Sequence, residues 1–80
     1  MKVPRDLSGV ELAHALCRDW GYRQVHQEGS HIILQTETPG HQRLSVPNHA
    51  PLRVGTLNGI VRAVAAHKGV DRQVLLDSLR

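Results

Sequence analysis

The sequence predicts a small α+β domain of two layers, in which helices pack on one face of a three-stranded antiparallel sheet. Two stretches carry apolar residues at three- and four-residue spacing, which is typical of amphipathic helices. Between them, three short stretches alternate between apolar and polar residues, as half-buried strands do. A chain of 80 residues has room for one hydrophobic core, so we expect a single domain over residues 1–80.

The first helix is predicted over residues 9–19. Ser8 and Glu11 have the spacing of a capping box, in which each side chain accepts a hydrogen bond from the other residue's backbone N–H. Gly21 follows the helix as a residue that adopts positive φ without strain. The residues expected on the inward face are Leu12, Ala13, Leu16, Cys17 and Trp20.

Three strands are predicted next, over residues 22–27, 31–37 and 42–46. Gly29-Ser30 and Pro39-Gly40 supply the turn chemistry between them, and Pro47 closes the third strand. The parity of the strands predicts a core face made of Val25, Ile32, Leu34, Leu44 and Val46. It predicts an opposite face that carries Tyr22, Gln24, His26, His31, Ile33 and Arg43, with Arg23 on the core side.

Two further helices complete the predicted order α-β-β-β-α-α. The second begins at Gly55-Thr56 with Thr56 as its N-cap, and Gly69 ends it. Its apolar stripe consists of Leu57, Ile60, Val61, Val64 and Ala65. Asp71 is expected to cap a short last helix whose inward residues are Val74, Leu75 and Leu79.

Several classes of function are disfavoured by composition and motifs. The single cysteine, Cys17, allows no internal disulfide, and its place in an apolar pattern predicts a small buried side chain. The six histidines lack metal-ligand spacing, and no phosphate-binding glycine motif occurs, so we expect neither a metal nor another cofactor. No apolar run has the length of a membrane span, and we expect a cytoplasmic protein without a membrane partner.

The charge balance favours an anionic partner. The formal net charge is +3, and eight of the ten basic residues are arginines, which suit bidentate contacts to phosphate. The candidates for contact with such a partner are Arg23, Arg43, Arg53, Arg62 and Lys68.

The residue best placed for chemistry is His31, in the tripeptide Gly29-Ser30-His31 at the start of a predicted strand. Imidazole exchanges protons near neutral pH, and the first residue of a strand, directly after a turn, holds a side chain in a well-defined position. A Ser-His-Asp triad is not supported, because the adjacent Ser30 and His31 should point to opposite faces. At neutral pH a histidine can therefore act as a general acid or as a general base.

Four short motifs occur in order along nearly the whole chain: Gly21-Tyr22, Gly29-Ser30-His31, Val46-Pro47-Asn48-His49 and Gly55-Thr56-Leu57, followed by an apolar helix that ends near Gly69. This series resembles the HicA family of small toxins. The resemblance implies a fold similar to the double-stranded-RNA-binding domain and an endoribonuclease, or mRNA interferase, that cleaves messenger RNA. It also implies a HicB-type antitoxin partner and His31 as the catalytic residue.

The chain departs from the family at His26, where members often carry arginine five residues before the catalytic histidine. The turn leaves the proton partner of His31 open. A four-residue connection would place His26 across from His31, whereas a two-residue connection would place Glu28 there. We favour the two-residue turn, because glycine at its first position matches type II′. A facing imidazole could contact phosphate or exchange protons, and a facing Glu28 would favour an acid role for His31.

The residues that we expect to contact RNA are Gln24, His26, Ser30 and Arg43. An alternative function is a non-catalytic RNA-binding module on the same scaffold, in which His31 contacts phosphate or a 2′-hydroxyl. A third reading, a protein-interaction domain, draws on the apolar side chains of Tyr22 and Ile33 on the predicted outer face.

Overall fold

The computed structural model describes residues 6–79, which form one sheet and three helices. The elements are α1 (Gly9–Asp19), β1 (Arg23–Glu28), β2 (His31–Thr36), β3 (Gln42–Pro47), α2 (Val54–Lys68) and α3 (Arg72–Ser78). Helix α1 packs on all three strands, α2 packs on β3, and α3 packs on α2. The predicted α+β class and element order are confirmed. Residues 1–5 and 80 of the predicted domain lie outside the described residues.

Helix α1 begins and ends where the sequence predicts. The Ser8 hydroxyl accepts from the Glu11 N–H at 3.1 Å, and the Glu11 carboxylate accepts from the Ser8 N–H at 2.9 Å, which completes the capping box. At the other end, Gly21 has φ of 74°, a conformation that glycine adopts without strain. Leu12 and Leu16 are fully buried against the sheet, while Cys17 and Trp20 are partly buried at its margin.

The sheet has the order β1-β2-β3, so β2 is central. Glu28 lies opposite His31, which confirms the two-residue turn at Gly29-Ser30. Gly29 has φ of 57° and Ser30 does not have positive φ, as a type II′ turn requires. On the other side of β2, Ile32 faces Val46 and Leu34 faces Leu44. These residues form the sheet's core face, as predicted.

A β-bulge at Val25 shifts the register of β1 and overturns part of the predicted facing. Gln24 pairs with Leu34 and His26 pairs with Ile33, so the two sides of the bulge have opposite parity. Arg23, opposite Gln35, therefore belongs to the outer face, and Gln24 belongs to the helix side. The prediction for both residues is wrong because parity counting assumes one residue on each strand per pair, and the bulge adds one to β1.

Tyr22 lies in the core, so its predicted place on the outer face is wrong as well. It is only 4% exposed, and its hydroxyl donates to Oε1 of Gln42. The ammonium group of Lys68 lies 4.8 Å from the centre of its ring. Gly21, with positive φ, directly precedes Tyr22, and the phenol belongs to the hydrophobic core before β1 begins.

Helix α2 is the longest helix, and none of the helices in the described part of the chain is long and apolar enough to cross a membrane. The helix begins at Val54, with Arg53 as an N-cap whose side chain makes no capping hydrogen bond. Thr56 therefore lies inside the first turn, and its prediction as the N-cap is wrong. The apolar stripe from Leu57 to Ala65 is buried as predicted, and Gly69, with φ of 69°, ends the helix.

Helix α3 is capped by Asp71, whose carboxylate accepts from the Gln73 N–H at 2.8 Å. Leu75 and Leu79 are buried, as predicted. Val74, also predicted to point inward, is 54% exposed, and Leu76 is buried in its place. The helix has seven residues, so a small rotation about its axis decides which neighbours of Leu75 reach the core.

Gly9, the first residue of α1, lies against the end of β3. A Cβ at Gly9 would lie 1.9 Å from the carbonyl oxygen of Pro47. The Gly9 N–H donates to the carbonyl oxygen of His49 at 2.9 Å, and the Leu52 N–H donates to that of Leu7 at 2.8 Å. Only glycine allows this approach, which fixes the segment between β3 and α2 to the start of α1.

We expect Gly9→Ala to lower the free energy of unfolding by about 3 kcal/mol, because the clash is with backbone that cannot rotate away. Gly59→Ala is the matched control, since a Cβ at Gly59, within α2, meets nothing within 4 Å. That change should raise the free energy of unfolding by about 0.5–1 kcal/mol through helix propensity. Urea denaturation of both variants measures the two effects. Equal stabilities would contradict the close approach at Gly9.

Burial raises the pKa of Tyr22 from 10.0 to about 12. Because the folded pKa lies above the unfolded one, Tyr22 contributes stability that is fully present below pH 10 and is lost as the pH rises toward 12. The chain has one tyrosine, so the ultraviolet absorbance of phenolate reports this group alone. We expect a midpoint near pH 12 for the folded protein and near pH 10 in denaturant. Tyr22→Phe should remove the signal, and a folded midpoint near 10 would argue against a buried phenol.

Candidate functional site

His31 is the first residue of β2 and lies exposed on the outer face of the sheet, away from the helices. Its neighbours Ile32 and Leu34 point into the core, so alternation along the strand directs His31 to the open side. Cross-strand pairing places Glu28 and Pro47 on either side of it. The predicted facing of His31 is confirmed.

Among the described residues, the hydrogen-bond partner of the His31 ring is the hydroxyl of Ser45. Ser45 Oγ lies 3.2 Å from Nδ1 of His31, within hydrogen-bond distance. Ser45 is on β3 opposite Ile33, so it reaches His31 diagonally across the two strands. The sequence prediction missed this residue. Its signal was the parity of β3, which puts Ser45 on the same face as Arg43, but the register with β2 was not fixed by sequence.

Glu28 and His26 form a second side-chain contact on this face. The Glu28 carboxylate lies 3.5 Å from Nε2 of His26, and the two side chains are 73% and 60% exposed. His26 pairs with Ile33, so it is diagonal to His31 and not directly opposite it. Glu28, opposite His31 along the backbone, has its carboxylate turned toward His26.

The Gly29-Ser30 turn, which precedes His31, is hydrogen-bonded to the segment that follows β3. The Asn48 N–H donates to the carbonyl oxygen of Ser30 at 2.6 Å. Because Gly9 fixes the neighbouring residues Pro47 and His49, the turn is connected to the start of α1 through this segment. Ser30 itself is exposed. The position of His31 therefore depends on the packing of α1 as well as on the hairpin.

Arg43, Gln35 and Glu37 form a row of hydrogen-bonded side chains on the outer face, toward the end of β2 that is farther from His31. Arg43 donates to Oε1 of Gln35 at 3.0 and 3.3 Å, and the Gln35 amide donates to the Glu37 carboxylate at 2.7 Å. This bond from Gln35 and a second one from His41 hold the pKa of Glu37 below its ordinary value. Arg43 is exposed on the His31 side, as predicted, and the bulge adds Arg23 to the same face.

Two other candidates from the sequence have roles in the fold. Lys68 donates to Oγ1 of Thr36 at 3.0 Å and to the carbonyl oxygen of Thr38 at 2.6 Å, and burial lowers its pKa. The backbone carbonyl of His49 accepts a hydrogen bond from the Gly9 N–H. Arg53 and Arg62 are exposed, near the start and in the middle of α2.

The groups on the outer face can perform acid–base chemistry. Residues 6–79 contain no cluster of three or more histidine, cysteine, aspartate or glutamate side chains that could hold a metal ion. The fold and the site thus define a small α+β domain with two exposed histidines, His26 and His31, on its open sheet face.

Comparison with known families gives one match, over residues 10–65, to the family described as HicA toxin of bacterial toxin-antitoxin. The match covers more than half of the chain and includes β1, β2 and β3 with the whole outer face. The chain belongs to the HicA toxin family, as its motifs indicate. No curated protein and no solved structure matches the chain. A toxin of this family is one member of a toxin–antitoxin pair, so a cognate antitoxin is its partner.

Proposed function

We propose that this toxin is an endoribonuclease that cleaves messenger RNA without a metal ion, with His31 as its general acid or base. The observation that carries the proposal is the exposure of His31 on the open face, with Nδ1 beside Ser45 and Nε2 without a hydrogen-bond partner among the described residues. Imidazole in this setting can exchange a proton with a substrate placed on the face.

The reaction is an internal transesterification of the RNA backbone. The ribose 2′-oxygen loses its proton to a base and attacks the adjacent phosphorus, and the bond from phosphorus to the 5′ oxygen breaks. The products are a 2′,3′-cyclic phosphate and a 5′-hydroxyl, the latter after a proton reaches the leaving oxygen. His31 acts at one of these two proton transfers, through Nε2.

Contacts with the RNA backbone are assigned to side chains around His31. Arg43 and His26 lie on the outer face with His31, and Ser30 lies in the turn before it. Gln24 remains a predicted contact, from the exposed edge strand β1, although its register puts it on the helix side. Arginine at this surface attracts phosphate and makes binding dependent on salt.

The antitoxin in this proposal is of the HicB type and inhibits by covering the outer face. That face holds His31, His26 and Glu28 and is not covered by any described helix, so one bound protein would exclude RNA. We also propose that residues 1–80 act as a single domain and that the protein works in the cytoplasm, where messenger RNA is found.

His31→Ala should abolish cleavage of messenger RNA, with a loss of at least about 100-fold, because the proton transfer loses its catalyst. Wild-type cleavage should persist in EDTA and leave 5′-hydroxyl ends. The fold should remain, since His31 is exposed, and circular dichroism with thermal melting checks this.

Cleavage retained by a folded His31→Ala variant would overturn the assignment of His31. RNA binding by the wild type with a steep salt dependence and no product would instead support a non-catalytic RNA-binding module. RNA affinity no greater than that of a charge-matched control protein would favour a protein-interaction domain.

Arg43→Ala should weaken RNA binding and lower the slope of log affinity against log salt by about 1, the effect of one lost phosphate contact. Arg18→Ala removes the same charge from α1, where Arg18 is paired with Asp19 at 3.0 Å, and should leave the slope unchanged. Fluorescence anisotropy with a labelled RNA at several salt concentrations measures both. Equal effects of the two variants would contradict the outer face as the RNA surface.

A further inference from the structure

We propose that Ser45 is a positioning residue for His31, holding the imidazole through Nδ1 so that Nε2 is the nitrogen that exchanges protons with RNA. This inference rests on the proposed function, since it assigns a second residue to the same site. Its basis is the 3.2 Å contact between Ser45 Oγ and Nδ1 of His31.

The register of the sheet makes Ser45 the residue that reaches the ring. Directly across from His31 on β3 is Pro47, whose side chain has no hydrogen-bonding group. Ser45 is two residues earlier on the same strand and therefore on the same face. In the described part of the chain, neither the Ser45 hydroxyl nor the His31 ring has another hydrogen-bond partner.

The charged side chains near His31 have other partners, so the hydrogen bond at Nδ1 is made with the Ser45 hydroxyl. Glu28 is the carboxylate nearest in register, but it contacts Nε2 of His26 at 3.5 Å. Arg43 lies beyond Ser45 on β3 and donates to Gln35. An acceptor at Nδ1 favours the tautomer that carries its proton on Nδ1, so a Ser45 hydroxyl that accepts from Nδ1–H acts on the chemistry of Nε2.

A hydroxyl oxygen suits both protonation states of the ring. It accepts from Nδ1–H in the neutral tautomer that leaves a lone pair on Nε2, which is the form needed to take the 2′-hydroxyl proton. When Nε2 has gained that proton, Nδ1–H still donates to the same oxygen. The ring therefore keeps one orientation before and after the transfer, which general acid–base catalysis requires.

The test is Ser45→Ala, with Ser45→Thr as the variant that keeps the hydroxyl. We expect Ser45→Ala to lower kcat for RNA cleavage about 10-fold with little change in KM, since part of the acid–base contribution is lost. Ser45→Thr should keep most of the wild-type kcat, because threonine retains the hydroxyl and is well suited to a strand. Thr56→Ala removes a hydroxyl from α2, away from the outer face, and should leave kcat unchanged.

A second measurement does not depend on activity. Nitrogen chemical shifts of His31 in ¹⁵N-labelled protein report which ring nitrogen carries the proton. We expect Nδ1–H in the wild type and in Ser45→Thr, and a larger share of Nε2–H in Ser45→Ala.

The outcomes separate the two proposals. If a folded His31→Ala variant still cleaves RNA, the proposed function fails. If His31→Ala is inactive while Ser45→Ala keeps the wild-type kcat and the wild-type tautomer, only the role of Ser45 is overturned. A rise in KM with unchanged kcat would also overturn it, because Ser45 would then bind RNA without positioning His31.

Discussion

The close approach of α1 to the end of β3 is the constraint on which the rest of the structure depends. Gly9 has no side chain, so the Pro47 carbonyl occupies the space that a Cβ would need. This contact joins the helical layer to the sheet and sets the path of the chain into α2. Through Asn48 and the Ser30 carbonyl, it also fixes the turn that carries His31. The backbone contact between Gly9 and Pro47 is therefore connected, through Asn48, to the turn that positions the His31 side chain.

The described helices cover only one face of the sheet, so the residues that stabilise the fold and the residues of the candidate site lie on opposite faces. Leu34 and Val46 are fully buried on the helix side, where they contribute to the hydrophobic core. His31 and Ser45, on the other side, are exposed and bury little apolar area. Substitutions on the outer face can therefore change the chemistry of the toxin without removing the core that folds it.

Local signals predicted those features that depend on a few adjacent residues. The bounds of α1 followed from the capping box at Ser8 and from Gly21, and the turn before His31 followed from glycine at its first position. The family also followed from short motifs in order. The wrong predictions lie where strand parity or a helix boundary shifts by a residue or more. The bulge at Val25 puts Arg23 and Gln24 on the faces opposite to those predicted. The start of α2 at Val54 places Thr56 inside the helix.

The sequence by itself determined the order of elements, the inward stripe of α2 and the exposure of His31, because periodicity and turn chemistry act within a few residues of the chain. Only the tertiary structure decided the neighbours of His31. The contact with Ser45 depends on the register between β2 and β3, which joins residues 14 positions apart. The alternation along each strand predicts which side chains share a face, but it does not say which residue of β3 lies opposite which residue of β2.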